Sequence, residues 1–331
     1  MHIPDGFVSG AINSTTAVVS TVILAVSVAR AKRELRDQAF AVPLLATVAA
    51  FVFAAQMLNF PIGGGTSGHF LGAATAAALL GPWSACIVLS VVLLLQALLF
   101  GDGGITALGS NILNMGVVAG ILTYPLLRGL RAVLPLGRKG YLLAAAVTSW
   151  ASIVLAAGCC AILLALSGTS PLGLALPAMV GTHAVIGIGE ALITVAVLTA
   201  AVTARPDIIP AWAQLDSAPR LLGANRKKAW GLAAAGLVLA AALALFASPF
   251  ASSAPDGLES VAEKQGFMAA ASETPVWTRS LFPDYRVKTV ASEQAATGLA
   301  GLIGTMLVFA CGYLAIRFLV REPGTRDPSN E

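Results

Sequence analysis

Met1-His2-Ile3-Pro4-Asp5-Gly6-Phe7, followed by the apolar run Val8–Ala29, decides how this chain is read. A secretory signal peptide opens with positive charge, then an apolar segment and a small-residue cleavage site. Here no lysine or arginine precedes Arg30. The run is therefore expected to persist as a first membrane span, long enough to cross roughly 30 Å of hydrocarbon. A bulky second residue is expected to leave Met1 in place with a free amine. Pro4-Asp5-Gly6 is a turn signal that folds the tip back onto the chain beyond it.

Composition extends that reading to the whole chain. Its 331 residues are 57% hydrophobic and only 11% charged, where a soluble domain carries about 25% charged residues. An all-α polytopic membrane protein is expected. The net charge of +4 is no nucleic-acid signal, because the basic residues lie between apolar spans. Cys86, Cys159, Cys160 and Cys311 all sit inside apolar runs and read as small buried hydrophobes.

About nine crossings follow: Val8–Ala29, Phe40–Leu58, the short Phe70–Leu80, Trp83–Phe100, Ile105–Leu127, Tyr141–Leu166, Leu172–Ala204, Ala229–Phe246 and Ala295–Leu319. Residues 206–228, with Pro206, Pro210 and Pro219, form a polar linker between a first unit (1–205) and a second (229–331). The second unit has two spans joined by a polar loop, 248–291. Loops 30–36, 128–139, 205–228 and 317–326 hold 16 of the 20 lysines and arginines. Such residues gather on the cytoplasmic side. An odd number of crossings places all four there, with the N-terminus outside and the C-terminus cytoplasmic. Met1-His2, the glycine-rich stretch before His69, Gly101–Gly104 and loop 248–291 then share the outer face.

The tip has its own chemistry. A free α-amine, the next amide nitrogen and the imidazole of residue 2 can chelate one metal through a five- and a six-membered ring. Planar nitrogen coordination suits Ni(II) or Cu(II). A fourth nitrogen must come from His69 or His183, the only other histidines. His69 is the natural candidate. Gly63-Gly64-Gly65 before it lets backbones approach closely, and irregular backbone at membrane depth lines a cavity or is buried in protein. The competing readings are plain: His2 an accident of the N-terminus, His69 a cap on the short helix expected after it. Asp102, Asn111 and Asn114 are placed either to hold a ligating imidazole or to glue helices together. His183 and Glu190, seven residues apart on one helix face, form either a later metal stop and its partner or a structural hydrogen-bonded pair.

Met1 to Phe7, Gly63 to His69, Gly101 to Asn111 and His183 to Glu190 together resemble the CbiM/NikM family over residues 1 to about 205. Those proteins are the substrate-binding membrane components of energy-coupling-factor transporters for cobalt and nickel. The resemblance implies metal ligation by the Met1 amine, the His2 amide and imidazole, and His69. Pro255-Asp256-Gly257-Leu258-Glu259 resembles the PDGLE signature of the small NikN/CbiN-like components, which implies a NikMN-type fusion. It also implies a transmembrane coupling subunit and a separate ATPase. This sequence has no Gly-x4-Gly-Lys-Ser/Thr loop of its own, and Ala25 and Ala29 form a small-residue pair on which a coupling subunit can pack. The expected role is uptake of Ni(II), or alternatively Co(II), as transported substrate, across the cell inner (plasma) membrane, in contact with lipid and with no organic cofactor. Two other classes stand beside it. An intramembrane metalloenzyme needs an open metal position and a base, as in His-Glu-x-x-His, which is not found here. A membrane metal sensor binds without transport.

Overall fold

The computed structural model describes residues 1–35, 41–204, 226–272, 274 and 276–320. Most of the expected linker, Arg36 and the basic tail after Val320 lie outside the described residues. Seven helices among the described residues are long and apolar enough to cross a membrane. They are α1 (Gly10–Leu35), α4 (Pro82–Phe100), α5 (Leu108–Val133), α6 (Arg138–Leu166), α7 (Leu172–Ala204), α8 (Trp230–Phe250) and α10 (Glu293–Phe318). The chain is a multi-pass membrane protein.

The other two expected crossings are shorter than the rest. α2 (Ala41–Gln56) has 16 residues, about 24 Å of helix. α3 (Ala73–Leu80) has 8, about 12 Å. Its ends are set by Gly72, at φ 79°, and Gly81, at φ 83°, with Pro82 beyond. Before α3 the chain from His69 to Gly72 is non-helical and buried, the condition for such backbone at membrane depth. His69 therefore stands on a non-helical link four residues ahead of the helix, not at its start. The Arg30 guanidinium at the far end of α1 lies over the Trp83 ring, 5.9 Å from its centroid.

The all-α expectation also needs correcting at the glycine-rich stretch. β1 (Phe60–Gly63) and β2 (Thr66–Gly68) form an antiparallel hairpin. Its turn places Gly63, Gly64 and Gly65 at φ 95°, 60° and 70°, a conformation that favours glycine at all three positions.

The second unit packs along α2. Thr47 Oγ1 donates to the Ala233 carbonyl at 3.2 Å. Gly304 of α10 lies so close to Phe53 and Phe100 that a Cβ would fall 2.5 Å from each ring. The loop between α8 and α10 contains a short helix, α9 (Gly257–Gln265), and lies across the end of the first unit. There Phe267 meets Phe7 edge-on at 5.4 Å and Tyr285 stacks on Phe100 at 4.8 Å. Of the four cysteines, Cys86 and Cys160 are buried, Cys159 is half-buried and Cys311 is exposed. The expectation of burial fails for Cys311 because its side of α10 faces away from the bundle.

Candidate metal centre

The tip is docked by its own polar groups. The turn expected at Pro4-Asp5-Gly6 is present. Asn111 grips the Ile3 backbone from both sides: Ile3 N donates to Oδ1 at 2.8 Å and Nδ2 donates to the Ile3 carbonyl at 3.1 Å. Asp5 Oδ1 accepts from the Thr106 N–H at 2.9 Å and hydroxyl at 2.6 Å, while Gly104 N donates to the Ile3 carbonyl at 2.9 Å. A side chain at Gly104 would fall 2.4 Å from Asp5 N, so the close approach requires glycine. Met1, Ile3 and Phe7 are buried.

That docking carries the Met1 amine onto His69 Nε2, the closest polar contact it makes. The His2 and His69 rings stack at 5.3 Å, 16° from parallel. Met1, His2 and His69 are thus brought together. His2 Nδ1 faces Asp102 Oδ1 at 3.2 Å, and its Nε2 is buried with no hydrogen-bond partner. Burial holds the His2 imidazole down to about 4, with Asp102 opposing, so the ring is a neutral donor. Among the described residues no three His, Cys, Asp or Glu side chains are arranged to hold a metal by themselves. A metal held here would need nitrogens of Met1 or the main chain as well.

The remaining sequence candidates separate. Asp102 lies against the His2 imidazole, while Asn111 spends both ends of its amide on the Ile3 backbone. Asn114 is fully buried and neither of its amide atoms has a partner; nothing ties it to the tip. His183 and Glu190 do not form the expected pair. His183 Nδ1 bonds the Met179 carbonyl at 2.7 Å, satisfying the ring within its own helix. Both Glu190 oxygens accept backbone N–H groups, from Leu71 at 2.6 Å and Gly72 at 2.9 Å. Glu190 thereby closes the N-terminus of α3 and fixes the link that carries His69.

The residue that sequence reasoning missed is Asp256. Its Oδ2 accepts from the Met1 amine at 2.6 Å and lies 3.6 Å from His69 Nε2. Burial alone would raise its carboxyl; the Met1 ammonium and His69 outweigh it and hold the group well below the usual carboxylate range. The signal was present in the PDGLE signature, and every residue of it has a task. The Pro255 carbonyl accepts from Ser67 N at 2.9 Å, adding the loop to the edge of β2. Asp256 caps α9, with Glu259 returning the bond to Asp256 N at 2.9 Å, a reciprocal capping box. A Cβ at Gly257 would fall 2.9 Å from His183 Nε2. Leu258 is fully buried. A cavity of about 860 Å³ opens between the units, lined by His2, His69, Asp102, Asp256, Glu259 and Tyr285 among others.

A membrane bundle whose buried N-terminus converges with two imidazoles defines a class: polytopic proteins with a nitrogen-rich centre at one end. Comparison with known proteins is specific. The family model described as the cobalt uptake substrate-specific transmembrane region, CbiM, matches residues 2–208, and the PDGLE domain matches residues 230–321. The chain belongs to the CbiM family and carries a PDGLE domain in the same polypeptide. It is similar to a protein of Archaeoglobus fulgidus inferred to be the fused nickel transport protein NikMN, at 36% identity over 96% of this chain and 99% of that one. It is also similar to the fused nickel transport protein NikMN of Rhodobacter capsulatus, at 33% identity over 98% of this chain and all of the relative. The crystal structure of a truncated transition metal transporter superposes with a TM-score of 0.54, at 36% identity, over 61% of this chain and 99% of that one.

Proposed function

We propose that this chain is the substrate-binding membrane component of an ATP-driven nickel uptake transporter. It takes Ni(II) at the outer face of the plasma membrane through the Met1 amine, the His2 amide and imidazole, and His69 Nε2. The observation that carries this is the contact between the Met1 amine and His69 Nε2 beneath a stacked His2 ring. Ligation through His2 Nδ1 requires that ring to make a half-turn, which directs Nδ1 into the centre and brings the Nε2–H to the Asp102 side, where the carboxylate can accept it. Because amide and amine both give up protons to bind, a planar set of strong-field nitrogens favours Ni(II) over Co(II). The two fused relatives described above are named for nickel transport, whereas shorter relatives that match only part of this chain are named for cobalt.

The outer location rests on charge. Arg30, Lys32 and Arg33 end α1, and Arg128 to Lys139 join α5 to α6, at the end remote from Met1, where cytoplasmic loops are basic. Energy must come from a separate ATPase through a transmembrane coupling subunit. The exposed stripe Val18, Val22, Ala25, Val26 and Ala29 on α1 suits packing against such a helix pair as well as lipid. The units 1–205 and 229–331 divide the work, the first supplying ligands. A metalloenzyme is disfavoured because four nitrogens would leave no planar position for substrate.

The test is a nickel titration of the purified chain and of His69→Ala. The native chain is expected to bind one Ni(II). His69→Ala removes one of four nitrogens without disturbing the Glu190-held link, and is expected to bind at least 100-fold more weakly. Equal affinities would remove His69 from the site. Nickel accumulation in cells that requires the co-expressed ATPase separates transport from sensing.

A further inference from the structure

The second unit reaches the centre by two polar arms, and both are held rigidly. Asp256 spends Oδ1 on the first turn of α9, accepting from Leu258 N at 2.8 Å and Glu259 N at 2.9 Å. Only Oδ2 is left, and it points at Met1. The loop behind it is tied to the hairpin that carries His69. Ser67 Oγ donates to the Ala254 carbonyl at 2.7 Å, and the hydroxyls of Thr66 and Ser260 bond at 2.6 Å. The carboxylate is therefore registered against His69 by short, direct connections, not by the length of the loop.

The second arm is Tyr285. Its hydroxyl donates to Asp102 Oδ2 at 2.5 Å and accepts from Gln96 Nε2 at 3.1 Å. The other oxygen of Asp102 faces His2. Tyr285 and Asp284 hold φ of 57° and 53°, a left-handed conformation that non-glycine residues keep where their surroundings enforce it. The strained pair sits where it places one hydroxyl on the carboxylate behind His2.

Two facts of coordination chemistry give these arms a purpose. An amine that has donated its lone pair to a metal keeps its N–H groups, and these still need acceptors in a buried site. A divalent ion bound through one deprotonated amide leaves a net positive charge, which is costly to bury without a partner. Asp256 offers an acceptor and a negative charge at the amine. Asp102, oriented by Tyr285, offers the same at the imidazole, as outer partners of ligating histidines commonly do.

We propose that the PDGLE unit completes the metal centre from outside the ligand set: Asp256 is the positioning residue of the Met1 amine, and Tyr285 acts through Asp102 on His2. Neither residue donates to the metal. This rests on the ligand set proposed for the centre, and it has a consequence for truncation. A chain lacking residues 229–331 keeps all four nitrogens but loses both arms, so it binds nickel more weakly than the full chain.

The experiment is a nickel titration of the full-length protein followed by calorimetry and by the visible absorption of the bound metal. Asp256→Asn and Asp256→Ser each keep a side-chain oxygen able to cap α9, so a purely structural role survives in both. Each is expected to bind about tenfold or more weakly, the usual cost of losing an outer partner of a metal ligand, with the absorption band unmoved because the donor set is unchanged. Tyr285→Phe is expected to lose several-fold. Hydrogen exchange at Ser67 N, which donates to Pro255, verifies that the loop remains docked. Native affinity in a docked Asp256→Ser protein overturns the Asp256 role, and native affinity in Tyr285→Phe overturns that arm. A shifted band in the Asp256 variants would make Asp256 a ligand and overturn the proposal in another way. Native binding by His69→Ala in the same series would instead strike the ligand reading.

Discussion

The carboxylate of Glu190 accepts the backbone N–H of Leu71 at 2.6 Å, two residues beyond His69, and that of Gly72 at 2.9 Å. A single buried side chain on α7 thus fixes the non-helical link on which His69 stands. Gln56 Nε2 donates to the Leu71 carbonyl at 2.8 Å from the other side, so the peptide groups next to His69 are held from two helices.

Glu190→Ala is accordingly expected to destabilise the fold and weaken nickel binding together, although it removes no ligand. Leaving a buried N–H without an acceptor costs about 1–3 kcal/mol, and two are stranded here. Glu190→Gln keeps one carbonyl acceptor and is expected to be milder in both respects. Thermal unfolding in detergent alongside a nickel titration measures both. A stable Glu190→Ala protein with native affinity would show that the link holds itself.

Much of the fold and the centre was legible in the sequence, for definable reasons. The long spans follow from unbroken apolar runs of membrane-crossing length, and Met1, His2 and His69, which the sequence offers as nitrogen donors, lie in contact. The short crossing was harder. Phe70–Leu80 is apolar but for Gly72 and Thr75, and nothing in its composition says that residues 69–72 are non-helical; Glu190, distant in sequence, holds Leu71 and Gly72 there. The His183–Glu190 pairing failed because helical spacing shows that two side chains share a face, not which of several backbone groups each will prefer. Asp256 was hidden for a related reason. Its capping box with Glu259 is a local pattern, but the oxygen left over points to a partner 255 residues away.

Gly257 gives a prediction about packing. A Cβ there would fall 2.8 Å from His183 Cε1 and 2.8 Å from Ile186 Cδ1. Gly257→Ala is expected to lift α9 from α7, and with it Asp256 from Met1, weakening nickel binding several-fold; overpacking of this kind costs about 1–3 kcal/mol. Adding His183→Ala opens space at one of the two contacts and is expected to recover part of the loss. Titration of the single and double variants decides. A double variant weaker than the single would give His183 a role in the centre beyond filling space.

Protons compete with the metal, and at the tip burial sets the direction. It lowers the His2 imidazole to about 4, against an ordinary value of about 6.5 when the tip is undocked. The undocked tip therefore takes up a proton between about pH 6.5 and 4 that the docked tip refuses. Docking is at full strength above that window and weakens as pH falls through it. The Asp256 carboxylate, held low, keeps its charge throughout the window. In the metal-free protein, NMR of the His2 ring is expected to show a neutral imidazole at about pH 5.5, inside that window. A ring that titrates near its ordinary value of about 6.5 would mean the tip is not docked as described.

The amine of Met1 sets the strictest demand on the centre. It lies against His69 Nε2 and Asp256 Oδ2, and Met1 is buried, at 2% exposure. One added residue, or an acetyl group, replaces the amine by an amide nitrogen. That nitrogen binds metal only after losing its own proton and carries no positive charge to pair with Asp256. Such a protein is expected to lose nickel binding as severely as His2→Ala. It is also expected to free the α9 loop from the tip, visible as faster hydrogen exchange at Ser272 N, which donates to the Asp5 carbonyl at 2.8 Å. A tag beyond Glu331 leaves these contacts alone and is expected to bind as the native chain does. The measurement is a nickel titration of the native, N-terminally extended and C-terminally tagged proteins. Equal affinity in all three would mean that the metal does not use the Met1 amine, and that the contact between Met1 and His69 belongs to the fold alone.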